Sequence, residues 1–190
     1  MIPNPDRLSD QYDRVKTLDL KTDIQGWHYE EPIFERLVTQ LKPRTYIEVG
    51  VHKGASLLRV AKMMRDLHGS AVRCYAVDFW REPGLFDQFL WNVVAAGLDD
   101  IIMPMRYLST DAAPMFATFG MQADLIYIDA GHEFISCLAD MHAYYPLLRK
   151  GGVMFGDDFT EETGVNLAVK AFGQPFTHTY YHWQLEPKTT

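Results

Sequence analysis

The chain has 190 residues, 47% of them hydrophobic and 23% charged, a balance that is typical of one globular domain and excludes an intrinsically disordered chain. A net charge of −7 argues against a nucleic-acid-binding surface, which is usually basic. No hydrophobic run approaches the roughly 20 residues of a membrane span, the first residues lack the hydrophobic core of a signal peptide, and Cys74 and Cys137 predict buried thiols rather than a disulfide framework. We therefore expect a cytoplasmic protein with neither nucleic-acid nor membrane partners.

The first 31 residues predict an N-terminal arm. They are polar, are interrupted by Pro3, Pro5 and Gly26, and favour one short helix at about residues 10–18. The aromatic cluster at residues 27–29 (Trp, His, Tyr) is compatible with two roles. It anchors the arm on the domain, or it forms a lid or wall over a substrate site.

The remainder of the chain alternates between predicted helices and predicted strands. The helices are expected at about 32–41, 56–67, 84–96, 111–119, 134–148 and 162–172, and the strands at about 45–49, 72–78, 101–105, 125–128, 153–155 and 176–185. This alternation predicts an α/β fold, a Rossmann-like, doubly wound and mostly parallel sheet with helices on both faces. We expect the last strand to be antiparallel, and one strand is predicted in that region.

A glycine turn joins the first predicted strand to the next helix. The strand ends near Glu48, Gly50 permits a tight turn and close approach of a ligand, and Gly54 lets the helix begin close to the sheet. The spacing is neither the Gly-x-Gly-x-x-Gly of dinucleotide sites nor the phosphate-binding loop. The turn therefore predicts a ligand site without phosphate-binding machinery.

Asp78 ends the second predicted strand, where a carboxylate commonly accepts both ribose hydroxyls of a nucleoside. The alternative role is the N-cap of a helix. The rings of Phe79 and Trp80, which follow directly, are placed to flank an adenine. A nucleoside site without phosphate recognition favours S-adenosylmethionine as the ligand.

Three carboxylates follow two neighbouring strands. Asp129 ends one hydrophobic run, and Asp157 and Asp158 end the next. Parallel strands bring these side chains to one rim of the sheet, where three carboxylates either raise a pKa or hold a hard cation such as Mg²⁺. The alternative for the later pair is a cap or a structural ion pair. His132, with an ordinary pKa near 6.5, is a candidate general base.

Together these motifs resemble a known family. Over residues 32–173 the pattern Glu48-x-Gly50-x-x-x-Gly54-x-Ser56, then Asp78, then Asp129-x-x-His132, Gly151-Gly152 and Asp157-Asp158 is similar to class I S-adenosylmethionine-dependent methyltransferases. Within that class it resembles methyltransferase family 24 and the metal-dependent O-methyltransferases of the catechol and macrolide-sugar type. The resemblance makes residues 32–190 the methyltransferase domain.

The resemblance also implies residue roles. It implies cofactor contacts from Glu48, Gly50, Ser56, Asp78 and Ser109. From the residues themselves we add His52, Gly54, Phe79 and Asp129 to the predicted cofactor contacts. The resemblance implies that Asp129, Asp157 and Asp158 bind the metal, although the family often has Asn at the last position. It places the base at His132, with Asp129 as the catalytic metal ligand. The implied reaction is Mg²⁺-dependent O-methylation of a small hydroxylated substrate, such as a sugar or a natural product.

Three alternatives remain open. One is a metal-independent methyltransferase in which His132 acts as the base, and another is a non-catalytic S-adenosylmethionine-binding protein. A nicotinamide-dependent oxidoreductase is more distant because the phosphate-binding glycines are missing. The aromatic residues 180–183 predict either a homodimer interface or a wall of the substrate site.

Overall fold

The computed structural model describes residues 9–190, and side chains from residue 11 onwards. Its helices are α1 (Ser9–Asp13), α2 (Pro32–Leu41), α3 (Ala55–His68), α4 (Leu85–Ala95), α5 (Ser109–Thr118), α6 (Phe134–Tyr144) and α7 (Thr163–Phe172). Its strands are β1 (Thr45–Val49), β2 (Arg73–Asp78), β3 (Ile102–Arg106), β4 (Ala123–Ile128), β5 (Leu148–Gly156), β6 (Phe176–His178) and β7 (Trp183–Leu185). Among the helices of residues 9–190, none is long and apolar enough to cross a membrane.

The strands form one seven-stranded sheet in the order β3-β2-β1-β4-β5-β7-β6. The five strands from β3 to β5 are parallel, whereas β7 pairs antiparallel with both β5 and β6. The strand order reverses between β1 and β4. The predicted Rossmann-like α/β fold is confirmed, and the reversal marks the place where such sheets bind ligands.

Two hydrophobic cores lie on opposite faces of the sheet. Successive side chains of β1 show why, since Tyr46 packs into one core and Ile47 into the other. Helices α1 to α4 contribute to the first core, and helices α5 to α7 contribute to the second. Burial on both faces explains why the central strands are continuous hydrophobic runs in the sequence.

The end of the chain differs from the sequence prediction. Residues 176–185 were expected to form one strand, but they form the two short strands β6 and β7. A turn separates them, in which the amide of Thr179 donates to the His182 carbonyl at 2.8 Å and the amide of His182 donates to the Thr179 hydroxyl at 3.1 Å. The hydroxyl of Thr179 thus supports a turn that contains neither glycine nor proline.

Two predicted helices are shorter than expected. Helix α1 ends at Asp13 rather than near residue 18, and α6 ends at Tyr144. A 3-10 turn over Tyr145–Leu147 follows α6 and contains Pro146, whose missing amide hydrogen prevents a regular helix from continuing.

Candidate active site

A cleft of about 1200 Å³ opens at the carboxyl ends of β1, β2, β4 and β5. This is more than the roughly 300–1,000 Å³ of a pocket for one small ligand, so it has room for two. All of the predicted site residues except Glu48 and Gly54 line it. The arm also lines it, through residues 25–28.

Backbone strain is concentrated around the cleft. Among the described residues, five that are not glycine have a positive φ, and four of these line the cleft. They are His28, His52, Trp80 and Asp158, with φ between 45° and 61°. Such conformations are unfavourable for these residue types and persist where the surroundings enforce them, which is typical of functional sites.

The glycine turn packs directly against the end of β4. Gly50 has a φ of 87°, and a Cβ atom there would overlap the carbonyl oxygen of Asp129. Gly54, with a φ of 92°, lies against the ring of Phe89 and begins α3. Gly50 therefore allows the close approach of the two loops that form the cleft floor, and Gly54 sets the position of the helix behind it.

Glu48 lies behind the cleft wall. Its carboxylate is fully buried and accepts hydrogen bonds from the Tyr46 hydroxyl and the Ser56 hydroxyl, both at 2.6 Å. Burial raises the pKa of Glu48 to about 7. In this arrangement Glu48 holds Ser56, which lines the cleft, and acts on a ligand only through it.

Asp78 holds the glycine turn in place. One carboxylate oxygen accepts hydrogen bonds from the amides of Val51 and His52, both at 2.9 Å, and the other accepts from the amide of Trp80 at 2.7 Å. The residue also lines the cleft. It is therefore a turn anchor at the rim where the sequence places a ribose-binding acid.

The two aromatic residues after Asp78 have different surroundings. Phe79 is 46% exposed and lines the cleft, in agreement with its predicted position. Trp80 is 1% exposed, stacks on Phe89 and donates from Nε1 to the His52 carbonyl at 2.7 Å. The ring of Trp80 therefore belongs to the core and supports the turn, so the expectation that it flanks an adenine is not met.

Ser109 begins α5 and lines the cleft beside a residue to which the sequence analysis gave no role. Asp140 is buried, lines the cleft and interacts with the Ser109 hydroxyl. Burial raises the pKa of Asp140 to about 6. The Tyr144 hydroxyl donates to the Ser109 carbonyl at 2.8 Å, which fixes this corner.

The predicted acidic rim is present. Burial raises the pKa of Asp129 well above its ordinary value, and the charges of Asp157 and Asp158 raise it further. One side-chain ligand atom from each of Asp129, His132 and Asp158 lies within 4.8 Å of the others. The Nε2 atom of His132 lies 3.0 Å from a carboxylate oxygen of Asp158, whose hydrogen bond raises the pKa of His132.

Asp157 has other neighbours. Its Oδ2 atom bonds to Nδ1 of His28 at 2.9 Å, and its Oδ1 atom lies 3.5 Å from Nε2 of His182. Burial raises the pKa of Asp157 to about 6. The sequence analysis considered His28 only as part of the aromatic cluster at residues 27–29, as an anchor of the arm or as a lid or wall over a substrate site. Tyr181, from the predicted aromatic tail, stacks on the His28 ring at 3.7 Å.

The site residues fit the two ligands that the resemblance implies. Asp129 and Asp158 offer carboxylate oxygens, which Mg²⁺ prefers, and His132 adds a nitrogen that suits transition metals. Burial raises the pKa of Asp129, and the charges of Asp157 and Asp158 raise it further; a divalent cation would offset these charges. Around the glycine turn, the exposed ring of Phe79 and the acids at positions 78 and 140 suit a nucleoside without phosphate.

Known structures share this architecture. The fold matches an O-methyltransferase from Bacillus cereus in complex with SAH, with a TM-score of 0.69, 17% identity and coverage of 99% of this chain and 93% of that one. It matches the O-methyltransferase TomG from Streptomyces achromogenes, involved in tomaymycin synthesis and in complex with SAM, with a TM-score of 0.68, 15% identity and coverage of 100% and 92%. It also matches CalS11, a TDP-rhamnose 3'-O-methyltransferase, with a TM-score of 0.67, 17% identity and coverage of 93% of both chains.

The chain matches two sequence relatives and one family model. It is 25% identical over 156 residues to uncharacterized protein R132 of Acanthamoeba polyphaga mimivirus. The aligned segment covers 79% of this chain and 68% of that protein. It is 27% identical over 146 residues to uncharacterized protein y4gI of Sinorhizobium fredii. This aligned segment covers 73% of this chain but only 16% of that protein. The methyltransferase domain model of family 24 matches residues 47–159, more than half of the chain. The chain therefore belongs to this methyltransferase family.

Proposed function

We propose that the chain is an S-adenosylmethionine-dependent O-methyltransferase that uses Mg²⁺ or another divalent cation and acts on a small hydroxylated substrate, such as a sugar or a natural product. One observation carries this proposal. Asp129, His132 and Asp158 converge on the same cleft as the glycine turn and Asp78. Membership of the methyltransferase family and the fold shared with O-methyltransferases support it.

The cofactor half of the cleft is formed by β1, β2 and the start of α5. The bound cofactor would supply a methyl group carried on a sulfonium. The acceptor oxygen would attack the carbon of this methyl group directly. Asp78 would accept hydrogen bonds from the ribose hydroxyls while it holds the turn, and Phe79 would pack against the adenine. Ser56, held by Glu48, would contact the methionine part.

The acceptor half is formed by the loops after β4 and β5. A cation held by Asp129 and Asp158 would lower the pKa of the acceptor hydroxyl and orient its oxygen. His132 would then take the proton. Because Asp158 engages Nε2 of His132, Nδ1 is the nitrogen left to accept it, and Glu162 lies 3.9 Å from that atom. Binding of both reactants in the one cleft would supply the remainder of the catalysis.

A metal-independent methyl transfer is the second candidate. The direct 3.0 Å contact between His132 and Asp158 favours it. A histidine that is oriented by a carboxylate is a sufficient base without any cation. The two candidates differ in their response to EDTA. Full activity after complete removal of divalent cations would select the second.

The test is a calorimetric titration of S-adenosylhomocysteine into the protein, with and without Mg²⁺. We expect binding to the wild type, at least tenfold weaker binding to Asp78→Ala, and a separate Mg²⁺ heat that disappears in Asp158→Asn. Asp66→Asn, which changes an exposed acid on α3, is the matched control and should behave as the wild type. A wild-type protein that binds no S-adenosylhomocysteine under either condition would refute the proposed function.

A further inference from the structure

The N-terminal arm is fixed to the domain on both sides of the residues that enter the cleft. On one side, the buried side chain of Asn92 accepts from the Asp23 amide at 3.2 Å and donates to the carbonyls of Asp23 and Lys53, both at 2.9 Å. On the other side, the Arg59 guanidinium donates to the carbonyls of Tyr29 and Glu31.

Close packing holds the same segment between these two anchors. A Cβ atom on Gly26 would overlap the Cβ atom of Ala55, so the arm lies directly on the start of α3. The Nζ atom of Lys53 adds bonds to Asp23 at 2.6 Å and to Gln25 at 3.1 Å. These contacts support a fixed wall of the cleft rather than a mobile lid.

His28 is the residue of this wall that reaches the acceptor half. Its φ of 49° is unfavourable for histidine, and its ring is held by the stacking on Tyr181 and by the bond from Nδ1 to Asp157. A carboxylate only accepts hydrogen bonds, so the proton of the neutral imidazole lies on Nδ1. The other nitrogen, Nε2, is then an acceptor, and it lies near Glu161, which lines the cleft.

The surroundings of Nε2 define what it can bind. It lies 3.7 Å from a carboxylate oxygen of Glu161, which is beyond hydrogen-bond distance. A nitrogen of His28 and oxygens of Asp158 and Glu161 lie within 4.8 Å of one another. All three groups accept hydrogen bonds, and two carry negative charge. A ligand group between them must therefore be a hydrogen-bond donor or a cation, and it must not be anionic.

We propose that His28 is a specificity-determining residue of the acceptor site, whose Nε2 accepts a hydrogen bond from a hydroxyl or ammonium group of the acceptor. This inference rests on the proposed function, because it assumes that the acceptor binds beside Asp129 and Asp158. It narrows the substrate class. The acceptor carries a hydrogen-bond donor in addition to the hydroxyl that is methylated, and it carries no acidic group at that end.

Two substitutions separate contact with the acceptor from anchoring of the arm. In His28→Asn, the side-chain amide nitrogen can replace Nδ1 and keep the bond to Asp157, but no atom replaces Nε2. Asparagine also tolerates the positive φ. In His28→Gln, the oxygen of the longer side chain can replace Nε2 as an acceptor, but the bond to Asp157 is lost. Glu30→Gln, an exposed neighbour on the arm, is the control.

The experiment measures binding of three catechols to the protein with S-adenosylhomocysteine and Mg²⁺, namely dopamine, ethylcatechol and dihydrocaffeate. They share the hydroxyl pair and differ in a cationic, neutral or anionic tail. For the wild type and Glu30→Gln we expect dopamine to bind at least tenfold more tightly than ethylcatechol, with dihydrocaffeate weakest. In His28→Asn the preference for dopamine should fall below about threefold, with unchanged affinity for S-adenosylhomocysteine, and His28→Gln should keep it.

Each other outcome counts against the proposal. Loss of the preference in His28→Gln but not in His28→Asn would mean that His28 only anchors the arm. Equal binding of the three catechols by the wild type, or binding of none, would also overturn the proposal. Failure of the proposed function is distinguishable, because the titration of S-adenosylhomocysteine alone would then give no heat.

Discussion

The two ends of strand β4 carry the same residue type in opposite circumstances. At the start of the strand, one oxygen of Asp124 accepts from the amides of Arg44 and Thr45 at 2.5 and 2.9 Å, and the other pairs with Arg149. Immediately after its end, Asp129 lies beside two further carboxylates, and its pKa is raised by burial and by their charges. One acid is neutralised by its neighbours, and the other is not.

This difference separates a structural acid from a functional one. Asp124 has backbone donors and a cation, so its burial at 7% exposure is compensated within the fold. The uncompensated charge around Asp129 lowers stability unless a ligand provides the compensation, which is a property of functional sites. The contrast predicts opposite effects of the same substitution at the two ends.

The largest effect is expected where the carboxyl end of β4 meets the glycine turn. Gly50→Ala places a methyl group on the Asp129 carbonyl and requires a backbone conformation that alanine avoids. We expect the free energy of unfolding to fall by more than about 4 kcal/mol in urea denaturation.

Gly120→Ala is the matched control for this substitution. Gly120 has a similar positive φ of 63°, but its Cβ position has nothing within 4 Å. Gly120→Ala should lower the free energy of unfolding by about 1 kcal/mol, which is the cost of the positive φ alone. The further loss in Gly50→Ala then measures the steric overlap with Asp129. If the two variants lose the same stability, the close approach between the turn and β4 does not constrain the site.

The fully buried carboxylate of Glu48 on β1 adds a test that depends on pH. Its pKa is about 7 in the native protein against an ordinary 4.5, so the native state binds the proton more tightly. The resulting stability is fully present below about pH 4.5 and is lost as the pH rises through about 7, a change of about 3 kcal/mol.

Denaturation of the wild type and Glu48→Gln at several pH values tests this effect. Glutamine cannot ionise, and the other titrating groups cancel in the difference between the two proteins. The stability of the variant relative to the wild type should therefore rise by about 3 kcal/mol between pH 4.5 and pH 8. A constant difference would mean that Glu48 is ionised throughout this range.

The fold and most of the candidate site could be predicted from the sequence because the informative features are local. Strands buried on both faces appear as hydrophobic runs, and the acids at their ends, Asp78, Asp129 and Asp158, follow directly in the chain. Parallel pairing then brings these ends to one edge without further information. The glycine turn is equally local, since Gly50 and Gly54 mark it by type and spacing.

The rest depends on contacts that no local pattern encodes. His28 meets Asp157 across 129 positions of sequence, and the polar arm that carries it has no periodicity that ties it to the sheet. Trp80 is in the core because Phe86 and Phe89 of the next helix surround it. The turn between β6 and β7 relies on the side chain of Thr179 in place of a glycine, so the sequence gives no turn signal there.

A moderate effect is expected at the start of β4. Asp124→Asn removes the charge that pairs with Arg149 and replaces one acceptor oxygen by a donor beside the partly buried amides of Arg44 and Thr45. We expect a loss of about 2 kcal/mol in the free energy of unfolding, with little change in the affinity for S-adenosylhomocysteine. A stability equal to that of the wild type would mean that the hydrogen bonds and the ion pair of Asp124 do not stabilise its charge as the geometry indicates.

The smallest effect on stability, with the opposite sign, is expected at the other end of the same strand. Asp129→Asn removes one of three crowded negative charges, so without divalent cations the free energy of unfolding should stay the same or rise by about 1 kcal/mol. Saturating Mg²⁺ should raise the melting temperature of the wild type and leave that of Asp129→Asn unchanged, because a ligand stabilises only the state that binds it. Thermal denaturation of both proteins with EDTA and with Mg²⁺ measures the two effects together. A variant that loses more than 1 kcal/mol in EDTA would place Asp129 with Asp124 among the structural acids, and the distinction between the two ends of β4 would not hold.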